Sequence, residues 1–256
     1  SLTIFMESKD WILLISLAAI WGSAFMFIKI SAVDFGPILL VALRLLIAGL
    51  VFMPLLLQKK NRFLFKPYLP GILIIALISN ALPFTLFAFA SLGATSNMLG
   101  ILNGTTAFLT TLIAYFWLNE SISIKQIFGL CFGFIGVIIL VNPSNGSITI
   151  LASICALIGS LCYAFNGNYL QKYHYNSNKI VLIGWSMLFG GLLMMPIAVF
   201  NLPDQIPSFN SFLALLWLAV VSTGIGYLGF VRLIDRIGAV KTSTLTYLLP
   251  VFSIIW

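Results

Sequence analysis

Apolar runs of about 20 residues, the length an α-helix needs to cross a hydrocarbon core, follow one another along almost the whole chain. Nine helices are predicted from them. They run from Trp11 to Ser31, from just after Pro37 to near Leu57, from Tyr68 to Ser91, from after Gly93-Ala94-Thr95 to Asn119-Glu120, and from Ile124 to Val141. The later ones are Ile148 to Tyr173, Ile180 to Phe200, Phe212 to Ile234, and a ninth that begins near Val240. The connections are too short to hold an extramembrane domain. Trp11 to Ser31 is longer than a signal-peptide core and is followed at once by another span, so it reads as a helix that stays.

Polar residues interrupt these runs at mid-membrane depth, where each needs a protein or water partner. Helix one carries Ile20-Trp21-Gly22-Ser23-Ala24-Phe25, and helix three carries Asn80 followed by Pro83, which predicts a kink. Asn103-Gly104-Thr105-Thr106 breaks helix four, and Tyr163-Ala164-Phe165-Asn166-Gly167-Asn168 lies in helix six. In helix eight the glycines of Thr223-Gly224-Ile225-Gly226-Tyr227 predict close backbone contact or local unwinding. Gly129 and Gly133 have the GxxxG spacing of a helix-packing face.

The pattern also repeats. Leu46, Gly49, Leu50, Met53 and Pro54 return in register as Leu188, Gly191, Leu192, Met195 and Pro196, and Gly93-Ala94 returns as Gly238-Ala239. Five helices is an odd number, so a second copy must enter the membrane in the opposite sense. The expected fold class is therefore all-α: a polytopic membrane helix bundle of two inverted five-helix repeats, with ten helices expected and about nine present. The first repeat is assigned to residues 1–141, the outer connection to 142–147 and the second repeat to 148–256. The second copy is expected to stop in its fourth helix, with more of a natural protein beyond Trp256.

Composition supports a membrane protein. A chain that is 61% hydrophobic and 7% charged has more apolar surface than one soluble core can hide. The net charge of +7 does not point to nucleic acid, because the basic positions obey the positive-inside rule. With a cytoplasmic N-terminus, Lys9, Lys59, Lys60, Arg62, Lys66, Lys125, Lys172, Lys179, Arg232, Arg236 and Lys241 all fall on the inner side. Lys29 is expected to snorkel outward near Asp34, and Glu120 to pair with inner-side lysines or a helix end. Cys131, Cys155 and Cys162 lack metal spacing and read as packing residues. The sequon at Asn145 lies too near the membrane to carry weight.

Several stretches together resemble the EamA family of the drug/metabolite transporter superfamily. They are Ile20 to Phe25, Ala42-Leu43-Arg44 to Leu50, Leu118-Asn119-Glu120-Ser121-Ile122-Ser123, Gly129 to Leu140, and Tyr247-Leu248-Leu249-Pro250-Val251-Phe252. The likeness covers essentially the whole chain. It implies a ten-helix carrier that moves small metabolites, often amino acids or related compounds, commonly by export. The chain departs from the family pattern at Asn119, where glycine is frequent, and at Thr105, where proline is frequent.

In carriers built from inverted repeats the site lies near the midplane between the halves. Candidates by depth are Trp21, Ser23, Arg44, Asn80, Asn103, Thr106, Tyr163, Asn166, Trp185, Ser186, Tyr227 and Tyr247. Arg44 stands out because no Asp or Glu lies inside a predicted span to pair with it. Two readings stand: it attracts a carboxylate of an anionic or zwitterionic substrate, or it snorkels or caps carbonyls and orders the fold. Ser186 occupies its position in the second copy, so the halves are not chemically equal.

The function expected is secondary transport of a small molecule across a bacterial inner membrane, by facilitated diffusion or exchange and without a carboxylate proton relay. The expected partners are the substrate and the lipid bilayer. No catalytic residue, metal ligand or cofactor is assigned. A non-transporting scaffold and an intramembrane lipid-handling enzyme are the alternatives; the second lacks a nucleophile–base pair and has a single histidine, His174.

Overall fold

The computed structural model describes residues 6–140, 148–174 and 177–256. The connection at 142–147, with Asn145, lies outside the described residues. Helix α1 spans Ser8–Phe35, α2 Pro37–Leu56, α3 Phe65–Leu92, α4 Ser96–Leu118 and α5 Ile124–Leu140. Beyond the connection come α6 at Ile150–Tyr173, α7 at Lys179–Val199, α8 at 209–237 and α9 at 239–255. Among the described residues seven helical stretches are long and apolar enough to cross a membrane, and the last of them joins α8 and α9.

Local chemistry starts and stops these helices. Thr95, Thr149, Asn178 and Ser208 cap α4, α6, α7 and α8, each accepting a backbone N–H three residues on. Pro37 opens α2 directly after Gly36, whose φ of 71° turns the chain. Helix α4 ends on Asn119 in the left-handed region at φ 55°, where a residue other than glycine is best tolerated as asparagine. That explains how asparagine replaces the family's frequent glycine there.

Both interruptions predicted in α3 and α8 take the form of π-helical turns, at Ile75–Ala81 and Trp217–Ile225. They fall at equivalent places in the two halves. Helix α4 is broken at Gly104, and α9 passes through a 3₁₀ turn at Thr244–Tyr247 before Leu249–Ile255. Between α8 and α9 the chain turns at Gly238, with φ 81°.

Helices α2 and α7 form the central seam. A Cβ on Gly49 would lie 2.5 Å from the Leu188 side chain, and one on Gly191 would lie 2.7 Å from Leu46. These four residues are repeat equivalents, so the contact is reciprocal. Further along, Gly184 meets Phe52 and Leu56 while Gly190 meets Leu45. Ascending α2 therefore descends α7. The two helices are antiparallel about a pseudo-twofold axis, as an inverted repeat requires.

Two local expectations are corrected. A Cβ on Gly129 would have no neighbour within 4 Å, and one on Gly133 would meet only Tyr247, at 3.3 Å, so the GxxxG of α5 is not a seam among the described residues. Lys29 does not reach Asp34. Its Nζ donates to the Ala94 carbonyl at 2.8 Å, while Asp34 accepts from Ser208 and Ser211 at 2.6 and 2.7 Å. The Ala94 carbonyl, in the link between α3 and α4, is the partner it takes.

Candidate functional site

The two halves enclose a central cavity with about 80 Å³ of free space, room for a few waters or one small solute. Its wall is aromatic and follows the repeat. Trp21 on α1 packs against Tyr227 and Phe230 on α8, with ring centroids 5.9 and 5.4 Å apart. Tyr163 on α6 packs against Phe84 and Phe87 on α3, at 6.3 and 5.7 Å. Trp21 is the equivalent of Tyr163, and the α3 pair is the equivalent of the α8 pair. Each half thus sends one ring into the other half's broken helix.

Arg44 enters this box from α2 and is only 6% exposed. Its Nε donates to Thr223 Oγ1 at 2.7 Å, and its Cζ lies 4.0 Å from the centroid of Phe84. No ion pair involves it among the described residues. Its Nη groups make no hydrogen bond there, and the side chain lines the cavity. An arginine in hydrocarbon costs roughly 2.5 to 3.5 kcal/mol on insertion scales, and more where it cannot snorkel. Facing a cavity of polar groups and water lowers that cost.

The other polar residues of the lining are neutral, among apolar ones such as Ala24, Ile28 and Leu245. Asn103, Thr106 and Thr110 come from α4, Asn166 from α6, Ser222 from α8, and Ser243 and Thr246 from α9. Thr106 donates to Asn103 Oδ1 at 2.9 Å, and Trp21 Nε1 donates to the Ser222 carbonyl at 2.8 Å. The Oδ1 of Asn166 and the hydroxyl of Ser222 are buried without a partner. No carboxylate lines the cavity among the described residues.

Seven of the residues predicted by depth are brought together here: Trp21, Arg44, Asn103, Thr106, Tyr163, Asn166 and Tyr227. Five lie elsewhere. Ser23 donates to the Ile20 carbonyl and accepts from Trp217 Nε1. Asn80 donates to Ser186 Oγ at 2.9 Å, and Ser186 in turn donates to the Ile183 carbonyl. Trp185 packs against Phe65, and Tyr247 is partly exposed beside Gly133. The lining residues that depth alone passed over include Thr110, Ser222, Ser243 and Thr246. Thr110 stands one turn beyond Thr106 and Ser222 beside Thr223, so both had a signal in the sequence.

Polar ties join α4, α6 and α9 near Ala239, which lines the cavity. Among the described residues Glu120 forms no ion pair with lysine; it accepts from Gln171 Nε2 at 2.6 Å, and Gln171 Oε1 accepts from the Ala239 N–H at 2.7 Å. Lys179, 3% exposed, forms an ion pair with Asp235. Beyond the end of α6, His174 contacts Tyr169 Oη and Ser177 Oγ, each at 3.4 Å. Partial burial, and then the charge of Lys179, hold its pKa below the ordinary histidine value. Among the described residues no cluster of His, Cys, Asp and Glu is placed to hold a metal.

The model of the EamA-like transporter family matches residues 9–142 and again residues 150–256. The chain belongs to the EamA-like transporter family. The double match means that the internal repeat is a repeat of the family unit itself. An uncharacterized transporter of Archaeoglobus fulgidus is 25% identical over 253 residues, covering 96% of this chain and 88% of that protein. A probable amino-acid metabolite efflux pump of Escherichia coli is 26% identical over 264 residues, covering 96% of this chain and 85% of that protein. A solved crystal structure superposes with a TM-score of 0.75 at 18% identity, covering 98% of this chain and 87% of that one. That last likeness speaks for the fold alone. This EamA-family chain is an integral membrane transporter and not an enzyme.

Proposed function

We propose that this transporter moves a small zwitterionic or anionic metabolite of the amino-acid class, outward, by alternating access between halves 1–141 and 148–256. The observation that carries the reading is Arg44. It presents a guanidinium without an ion-pair partner among the described residues to an enclosed cavity that offers no carboxylate of its own. A substrate carboxylate supplies the missing charge, and the fork geometry of the guanidinium suits a planar, bidentate partner. The aromatic rings around it lower the local dielectric and strengthen that attraction. The efflux-pump name of the Escherichia coli relative agrees with this class and direction.

Lys59 and Lys60, between α2 and α3, and Lys66, in the first turn of α3, gather at the end of the bundle where α1 begins. By the positive-inside rule that end faces the cytoplasm of a bacterial inner membrane. With no carboxylate on the cavity among the described residues, substrate movement proceeds without a carboxylate proton relay. The reading is tested by reconstituting the chain in vesicles preloaded with unlabelled amino acids and following uptake of labelled ones. Counterflow by wild type that is lost in Arg44→Ala, with insertion verified, is the expected result. Equal counterflow by both proteins overturns the binding role of Arg44.

A further inference from the structure

The pair Arg44–Thr223 has a repeat equivalent, the pair Ser186–Asn80. In each, a residue of the central seam, on α2 or α7, bonds to a residue in the π-helical turn of the opposite half, at 2.7 and 2.9 Å. The first pair brings a cation to its π-turn. In the second, serine replaces arginine; a serine hydroxyl is unpartnered beside each pair, Ser222 in the first and Ser79 in the second, and the second pair adds the Asn80 carbonyl oxygen. Asn80 and Ser79 are fully buried, and neither Asn80 Oδ1 nor Ser79 Oγ has a partner.

The packing beside them differs from the first half as well. Gly190, one turn beyond Ser186 on α7, faces the Ala76 carbonyl within the same π-turn, and a Cβ there would lie 3.2 Å from that oxygen. The equivalent of Gly190 on α2 is Ala48, whose methyl group is buried. Where one half has arginine and alanine, the other has serine and glycine. The second arrangement removes a side chain beside a carbonyl and removes the cation that its mate supplies.

We propose that the π-turn of α3 binds Na⁺, held by Asn80 Oδ1, Ser79 Oγ and the Ala76 carbonyl. Hard cations select oxygen ligands, and a neutral ligand set suits a monovalent ion better than a divalent one. Interrupted helices serve this purpose in other inverted-repeat carriers, where main-chain carbonyls coordinate the coupling ion. Buried polar atoms without partners mark sites where an ion or water belongs. The Asn80 amide nitrogen is already committed to Ser186, so it is the oxygen that remains. The site is separate from the cavity and does not depend on what Arg44 binds.

The test is thermal unfolding of the purified full chain, titrated with NaCl against choline chloride at constant ionic strength. The expected result for wild type is a saturable rise in midpoint with NaCl that choline chloride and KCl do not reproduce. Asn80→Asp adds a ligand charge and is expected to lower the half-saturating NaCl by about tenfold. Ser79→Ala, a small change that spares the Asn80–Ser186 bond, is expected to raise it. Superimposable NaCl and choline curves for wild type overturn the proposal and leave the oxygens to water. An equal response to KCl overturns the assignment to Na⁺. Amino-acid-induced shifts recorded in choline chloride report on Arg44 alone, so either reading can fail while the other stands.

Discussion

Arg44 on α2 donates to the hydroxyl of Thr223 on α8, joining residues 179 positions apart at 2.7 Å inside the aromatic box. Thr223 fixes one face of the guanidinium and leaves the Nη groups to the cavity. Thr223→Val should therefore weaken substrate binding without abolishing it, while Arg44→Ala removes the charged partner itself. Hydrogen bonds to charged groups are worth about 1.5 to 3 kcal/mol, so Arg44→Ala should weaken binding by roughly tenfold to hundredfold. Titration of amino-acid-induced thermal shifts checks both. A Thr223→Val loss as large as that of Arg44→Ala would contradict the division of roles.

Gly49 and Gly129 look alike in sequence and differ in surroundings. A methyl on Gly49 meets Leu188 at 2.5 Å, and overpacking of this kind costs about 1 to 3 kcal/mol. Gly129→Ala meets nothing within 4 Å and should be neutral or stabilising, by up to about 1 kcal/mol of helix propensity. Thermal unfolding in detergent separates the two, with a clear drop in midpoint expected for Gly49→Ala only.

His174 gives a pH dependence of defined sign. Its pKa is lowered in the folded protein, so below about 6.5 the unfolded chain binds the proton more readily. Stability contributed by neutral His174 is fully present above that pH and is lost as pH falls through the ordinary histidine range toward the folded value. His174→Gln should flatten this acid-side decline in unfolding midpoint. An unchanged slope between wild type and variant would remove His174 as its source.

Tyr163 and Tyr247 separate cavity from surface. Tyr163 stacks on Phe87 within the box, whereas Tyr247 is partly exposed beside Gly133. Tyr163→Ala is expected to impair counterflow severalfold, since about 0.5 to 1.5 kcal/mol of aromatic pairing disappears beyond the area it buries. Tyr247→Ala should leave counterflow near wild type.

Depth is legible in the sequence, and azimuth is not. Arg44 and Ser186 occupy equivalent positions, and depth alone points both at the cavity. Only Arg44 reaches it, because Asn80 takes the hydroxyl of Ser186. Likewise depth favours Tyr247 on the ninth helix, but the 3₁₀ turn there brings Ser243 and Thr246 to the cavity instead. The breaks in α3 and α8 are written in Asn80 with Pro83 and in Thr223-Gly224, since polar, proline and glycine residues inside an apolar run announce them. Their π-helical form is not.

The sequence by itself determined the helices, the internal repeat and the orientation expected from the basic positions. Each of these follows from composition along one dimension, because a bilayer demands long apolar stretches and sorts positive charge to one side. The tertiary structure decided which polar residues meet. In a soluble helix the apolar stripe points to the core. In a membrane helix the lipid-facing and protein-facing sides are both apolar, so periodicity no longer says which way a side chain points. Only the antiparallel packing of α2 on α7, set by Gly49 against Leu188 and Gly191 against Leu46, turned Arg44 into the box and Ser186 toward Asn80.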